Sequence, residues 1–501
     1  MDALASVLYG FQVVLQPDNL MFCFLGCLAG TLVGVLPGIG PGTTMALLIP
    51  FSYHMTPTAA VIMFAGIYYG CQYGGSTTSI LLNIPGEVTS IVTCLDGYQM
   101  ARQGRAGPAL GISAFGSFIA GTLAVCGTIL FAKPIVNIAI KFGPPEYFSL
   151  LCMGFIIITY LATASMPRAI ISALMGIFLA TVGMDPMSGV TRFTIGTIDL
   201  TEGVGIIPLS IGLFGLSEIA VNVEQMVPAE VYKTRFKGLF PNLKDWKDSI
   251  GPIFRGTGLG FFLGILPGGG ALISSFVSYA VEKKVSKHPE KFGTGMIEGV
   301  AGPESANNAG AQSAFIPLLT LGMPTNIVTA LLMGALMLHG IAPGPFMMRE
   351  HPDLFWGLIS SMYVGNAMLV ILNLPLIGLW VRVLKVPTYF LYPVILVLIV
   401  VGVYSVRNNV FDIYLMIFFG ILGYFLRKFD FEIAPLTIAF VLGDIFEEAM
   451  RQSLMMSNGS FSIFFSRPIS AVFIIMAMLL AAISIIAPSF RKKQLKWGDA
   501  D

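Results

Sequence analysis

The chain has 501 residues, 55% of them hydrophobic and 11% charged, with a formal net charge of +1 and a mean hydropathy of +0.82. Soluble domains carry about 25% charged residues, so a water-soluble fold, a disordered chain and a small disulfide scaffold are excluded. The near-zero charge also removes any electrostatic basis for nucleic-acid binding. What remains is a polytopic membrane protein, with room for about 10 to 14 segments at roughly 20 apolar residues each.

Apolar runs fall near residues 20–50, 58–83, 107–132, 147–163, 168–183 and 203–222. A polar stretch from Glu224 to Arg255 follows, then runs near 256–280, 312–340, 354–380, 389–403, 409–426, 433–449 and 469–488. These are longer and more continuously apolar than the ten-residue alternating strands of a membrane barrel, so the predicted class is all-α. The division this suggests is a first membrane repeat over 1–223, a basic linker over 224–255, a second repeat with trailing helices over 256–490, and a basic tail over 491–501. Lys233, Arg235, Lys237, Lys244, Lys247 and Arg255 in the linker, and Arg491, Lys492, Lys493 and Lys496 in the tail, place both on the cytoplasmic side. No basic region precedes the first apolar run, so no secretory signal is expected. The six cysteines form no CxxC pair; Cys23 and Cys27 share a helical face and read as packed thiols.

An internal repeat is visible. GTLVGVLPGIG (30–40) and GFFLGILPGGG (260–270) match at Gly30, Gly34, Leu36, Pro37, Gly38 and Gly40, all at one offset. A weaker echo follows each copy: YGGSTTSILLNIPGEVTSIVT (73–93) and NNAGAQSAFIPLLTLGMPTNIVT (307–329) both run from a polar start to a Pro and then IVT. Proline and glycine interrupt a helix, and broken backbone at membrane depth is tolerated only inside protein or beside a wet cavity. Arms of about 11 residues on each side of Pro267, about 16 Å long, suit a re-entrant hairpin. Basic flanks on the second copy and none on the first suit opposed entry, the arrangement of inverted-repeat transporters. A kinked spanning helix with GxxxG packing is the alternative.

The polar residues Gln72, Ser76, Thr77, Thr78, Ser79 and Asn83, and Glu304, Asn307, Asn308, Gln312 and Ser313, cluster within apolar surroundings, where polar groups mark substrate or ion pathways. Hydroxyls and amide oxygens suit a hard cation such as Na⁺; amides and freed helix N-termini suit a carboxylate. Glu304 is a candidate for proton coupling. His339 reads as a packed histidine, and Asp444, Glu447 and Glu448 as a solvated helix end. No phosphate-binding loop GxxxxGK[ST] is present, and no structural metal or cofactor is expected.

LPGIGPGTTMALLIPF (36–51), YYGCQYGGSTTSILLNIPGE (68–87), LPGGGA (266–271), IEGVAGPESANNAGAQSAFIPLLTLGMPTN (297–326) and GIAPGP (340–345) resemble the large permease subunit of the tripartite tricarboxylate transporters, the TctA family, over essentially the whole chain. The resemblance implies a bacterial inner-membrane secondary transporter, not an enzyme. It implies two partners, a small four-helix membrane subunit and a periplasmic solute-binding protein, and a carboxylate substrate such as citrate driven by Na⁺ or H⁺. It carries the translocation site onto Pro37, Gly38, Gly40, Gly74, Gly75, Ser76, Thr77, Thr78, Pro267, Gly268, Gly269, Asn307, Asn308, Pro324 and Thr325. A membrane-embedded enzyme and a passive anion channel are the rival readings.

Overall fold

The structure is a computed structural model that describes residues 3–36, 40–160, 165–185, 187–224, 238–268, 270–383 and 388–495. Pro37, Gly38, Gly269, residues 225–237 of the basic linker and Lys496 lie outside the described residues. The chain is helical almost throughout, and the described strands are two antiparallel two-residue segments, Gly183–Met184 and Thr191–Arg192. Five described helices are long and apolar enough to cross a membrane: Pro17–Val35, Ala106–Ala139, Ile206–Glu224, Pro352–Asn373 and Val410–Lys428. Shorter apolar helices accompany them. Leu130, Ile371, Val397 and Tyr414 leave more than half their surface uncovered on such helices. A water-soluble fold would not leave such faces bare, and a bilayer covers them. The protein is an all-α polytopic membrane protein.

Contacts divide the chain into two compact units. The first holds residues 1–139, 205–265 and 269–425. At its centre lies the helix Pro57–Leu82, buried at every position from Thr58 to Leu82. Against it, in parallel, runs Pro17–Val35. A β-carbon on Gly26, Gly30 or Gly34 would overlap the carbonyl oxygens of Met63, Ile67 and Cys71 in turn, so glycine at every fourth position lets the two backbones touch. The second half repeats the device: Gly256, Gly260 and Gly264 of Leu243–Gly264 face the carbonyls of Gly302, Ala306 and Gly310 on Glu298–Ser313. Parallel partners require the intervening helices, Pro41–Ser52 and Gly270–Val285, to carry the chain back to its starting side.

Leu243–Gly264 begins well before the apolar arm read from the sequence. Asn242 and Asp245 form a capping box at its start, and the amphipathic run LKDWKDSIGPIFR buries Asp245 and Ser249 while leaving Leu243 and Phe254 uncovered. Charge made this stretch read as linker, but a cap and a helical period make it helix.

The second unit holds residues 140–204, 266–268 and 426–501. Pro144–Tyr160, Met166–Ala180, Ile433–Met456 and Pro468–Leu495 are its long helices. Ion pairs stitch it: Arg467 with Glu146 at 2.6 Å, Arg192 with Glu447 at 2.7 Å, and Arg451 with both Asp185 (2.8 Å) and Glu447 (3.1 Å). Asp444, Glu447 and Glu448 therefore do not end a helix. They sit within one that continues to Met456, and Glu447 has two arginine partners. Pro267 and Gly268 belong to this unit. Gly268 has a φ of +86°, and a β-carbon there would meet the backbone of Ile158, so no larger residue fits.

Candidate functional site

Within the first unit, four helices bring polar groups to one buried neighbourhood. Glu298–Ser313 supplies Glu304, 1% exposed, whose carboxyl accepts hydroxyl hydrogen bonds from three other helices. Ser76 of Pro57–Leu82 donates at 2.5 Å, Ser113 of Ala106–Ala139 at 3.1 Å, and Thr93 of Ile91–Arg102 donates to the other oxygen. One turn further along, the Asn308 Nδ2 donates to Ser117 at 2.7 Å and to the Glu304 carbonyl at 3.1 Å. Ser113 and Ser117 are four apart, as are Glu304 and Asn308, so two helical faces meet as a polar ladder.

A second buried carboxyl, Glu87, lies in the break that follows Pro57–Leu82. Asn83 takes a left-handed φ of 58°, and Glu87 and Ser90 then close a capping box on the next turn. Thr89 donates to Glu87 and, at 2.8 Å, to Gln72 Oε1. Glu87 interacts electrostatically with Tyr68 and Glu304. Several buried amide and hydroxyl atoms nearby have no hydrogen-bond partner: Gln72 Nε2, both side-chain polar atoms of Asn307, Asn308 Oδ1, Gln312 Oε1 and Ser305 Oγ. Buried polar atoms are nearly always paired, so such a concentration makes this neighbourhood the candidate ligand site. Tyr73, Thr77, Leu110, Ser113, Asn373 and Ile377 line a cavity of about 10 Å³ beside it, room for about one water. Among the described residues, no group of three or more His, Cys, Asp or Glu side chains could hold a metal ion.

The sequence-predicted residues divide. Ser76, Asn307, Asn308 and Glu304 meet in this neighbourhood and Thr77 lines its cavity. Gly74 and Gly75 serve close approach: a β-carbon on Gly74 would overlap the Thr31 carbonyl, and one on Gly75 would press on the Glu87 side chain. Thr78 donates at 2.8 Å to the carbonyl of Val35, a free carbonyl at a helix end. Gly40 precedes Pro41–Ser52, and its carbonyl accepts from Thr44 at 3.2 Å. Pro324 and Thr325 lie in the second break, where Gly322 is left-handed (φ 67°) and Asn326 and Thr329 form a capping box. Both helix starts are thus closed by their own side chains, so amides rather than bare N-termini are the donors on offer. Sequence reasoning missed Glu87, Thr93, Ser113 and Ser117. The available signals were an acid ending the NIPGE break and two serines four apart in an apolar run.

The structure also corrects the register of the second echo. IVT pairs Ile91–Thr93 with Ile327–Thr329. The left-handed residues (83 and 322), the prolines (85 and 324), the caps (87 and 326) and the glycine-facing carbonyls (63 and 302, 67 and 306, 71 and 310) all agree on a different offset, three residues longer.

Comparison with known proteins agrees with this architecture. An uncharacterized 52.8 kDa protein in the TAR-I ttuC′ 3′ region of Agrobacterium vitis is 49% identical over 496 residues, covering 99% of both chains. An uncharacterized protein in the TAR-II ttuC′ 3′ region of the same organism is 51% identical over 235 residues, 47% of this chain and 97% of its own. No solved structure matches. The model of the tripartite tricarboxylate transporter TctA family matches residues 20–438. Its members are transporters that work with other subunits, so the chain is a transport subunit and not an enzyme. With that match across most of its length, the chain belongs to the tripartite tricarboxylate transporter TctA family.

Proposed function

We propose that this chain is the permease of a binding-protein-dependent secondary transporter that imports a citrate-like di- or tricarboxylate by cation symport. It would lie in a bacterial inner membrane with its C-terminus cytoplasmic, beside a small four-helix membrane subunit, and receive substrate from a periplasmic solute-binding protein. The observation that carries this reading is the buried neighbourhood around Glu304, where hydroxyls from three helices converge on one carboxyl beside unpaired amides. Amide N–H groups of Asn307 and Gln72 would take the substrate carboxylate, and the oxygen-rich donor set suits Na⁺. The breaks at residues 83–90 and 322–326 supply the discontinuous helices around which two inverted halves would alternate.

The test is uptake of labelled citrate and a panel of di- and tricarboxylates into proteoliposomes holding both membrane subunits, with and without the binding protein and a Na⁺ gradient. Accumulation that needs both additions is the expected result. Equilibration without accumulation would mean a passive pathway, and no uptake of any carboxylate would overturn the substrate class. Asn308→Ala, which removes the Ser117 contact and an open acceptor, is expected to abolish uptake while the protein still inserts.

A further inference from the structure

Among the described residues, several buried carboxylates outside the Glu304 neighbourhood have a cation or a set of backbone N–H groups against them. Asp245 faces Arg105 at 2.5 Å, and Glu282 accepts from Arg255 at 2.5 and 3.0 Å. Glu146 and Asp185 face Arg467 and Arg451. Asp96 accepts the backbone N–H groups of Gly293, Gly295 and Met296 and the Tyr279 hydroxyl. Glu304 differs. Among the described residues its carboxyl partners are three hydroxyls, and the titratable groups facing it are Glu87, Tyr73 and Cys94, none of them a cation.

A buried charge without a counter-charge is costly, and an ionised Glu304 in this low-dielectric site repels an anionic substrate. An anionic substrate entering here meets that repulsion until a cation arrives. The hydroxyl oxygens of Ser76, Thr93 and Ser113, each already aimed at Glu304, and the open Oδ1 of Asn308 one turn along are a ready oxygen shell. We infer that Glu304 seats the coupling cation, and that its unneutralised charge enforces the order of binding: cation first, carboxylate second. This rests on the transport function proposed above. Binding is reciprocal: the factor by which the cation tightens substrate is the factor by which substrate tightens the cation.

The test uses the two membrane subunits and binding protein in proteoliposomes, with whichever carboxylate the wild type accumulates. Imposed Na⁺ and pH gradients in separate arms identify the cation as Na⁺ or a proton. Glu304→Gln is expected to lose gradient-driven accumulation, its internal-to-external ratio falling to about 1, as decoupled sites require. It should retain a measurable substrate exchange that no longer responds to the cation. Accumulation by Glu304→Gln at the wild-type ratio would overturn the inference. So would loss of exchange with normal insertion, since that would make Glu304 part of the carboxylate site. Should the variant fail to insert, Ser113→Ala decides: the cation concentration for half-maximal uptake is expected to rise at least about threefold, the loss of one weak ligand, and an unchanged value would overturn the inference. Absence of uptake by the wild type would instead refute the transport reading itself.

Discussion

At the residue scale, the polar groups of the site differ in how far sequence could expose them. Ser76, Glu304, Asn307 and Asn308 stand out because they are polar in apolar runs. Thr93 and Ser113 do not, because a single hydroxyl in a membrane helix is ordinarily satisfied by its own backbone, and only their approach to Glu304 from 211 and 191 residues away gives them a role. Asp96 is another residue whose work is invisible in sequence. It lies three residues after Thr93 on the same helix and holds three backbone N–H groups of the loop leading into Glu298–Ser313. Asp96→Ala strands those donors. At about 1–3 kcal/mol for an unsatisfied buried group, it is expected to lower stability by at least about 2 kcal/mol in thermal unfolding of the detergent-solubilised protein. Asp96→Asn, which keeps one acceptor oxygen, is expected to be milder.

At the scale of elements, the glycines were legible and their partners were not. Spacing alone marks Gly30, Gly34, Gly260 and Gly264 as a close-packing stripe, but the carbonyls they meet lie on helices of quite different composition. Met63, Ile67 and Cys71 share no chemistry with Gly302, Ala306 and Gly310; what is repeated is backbone contact, which sequence comparison cannot register. That is why the IVT echo misled by three residues. It also means the polar residues of the two halves occupy different helical positions: Ser76 corresponds to Phe315, and Asn307 and Asn308 to Tyr68 and Tyr69. The ladder gives a sharp contrast within one helix. A β-carbon on Gly260 would overlap the Ala306 carbonyl, whereas nothing lies within 4 Å of one on Gly258. Gly260→Ala is expected to destabilise by about 1–3 kcal/mol, and Gly258→Ala to stabilise by about 0.5–1 kcal/mol, both read from thermal unfolding. Equal effects would remove the ladder from the account.

At the scale of the whole molecule, composition was decisive for class, since so little charge over so many residues admits only a membrane protein. The compact units were not legible, because they cut across the repeat: residues 140–204 come from the first half and 426–501 from the second, and they are joined into one unit. That unit carries an acid-labile joint. Asp185, in the strand-bearing connection outside the spanning helices, is held well below the usual carboxylate range by hydrogen bonds from Ser188, Arg451 and the Met187 N–H. A carboxyl whose folded-state affinity for protons is depressed stabilises above its ordinary range and ceases to as pH falls through its folded value. Stability is therefore expected to drop as pH falls below about 4, the ordinary carboxylate value. Arg451→Met is expected to flatten that dependence in unfolding measured against pH.

The long sequence separations around Glu304 also govern how the protein is made. Each glycine ladder joins helices close together in the chain, so each can zip as its half leaves the ribosome. The three hydroxyls that receive Glu304 are different. They belong to residues 76, 93 and 113, at least 191 positions earlier, so the most polar helix enters a bilayer in which its reception is already assembled. A circular permutant that begins within the linker, at residue 238, would reverse that order. It would leave Glu304, Asn307, Asn308 and Gln312 to face lipid before any partner exists, and should insert poorly although every contact of the finished protein is unchanged.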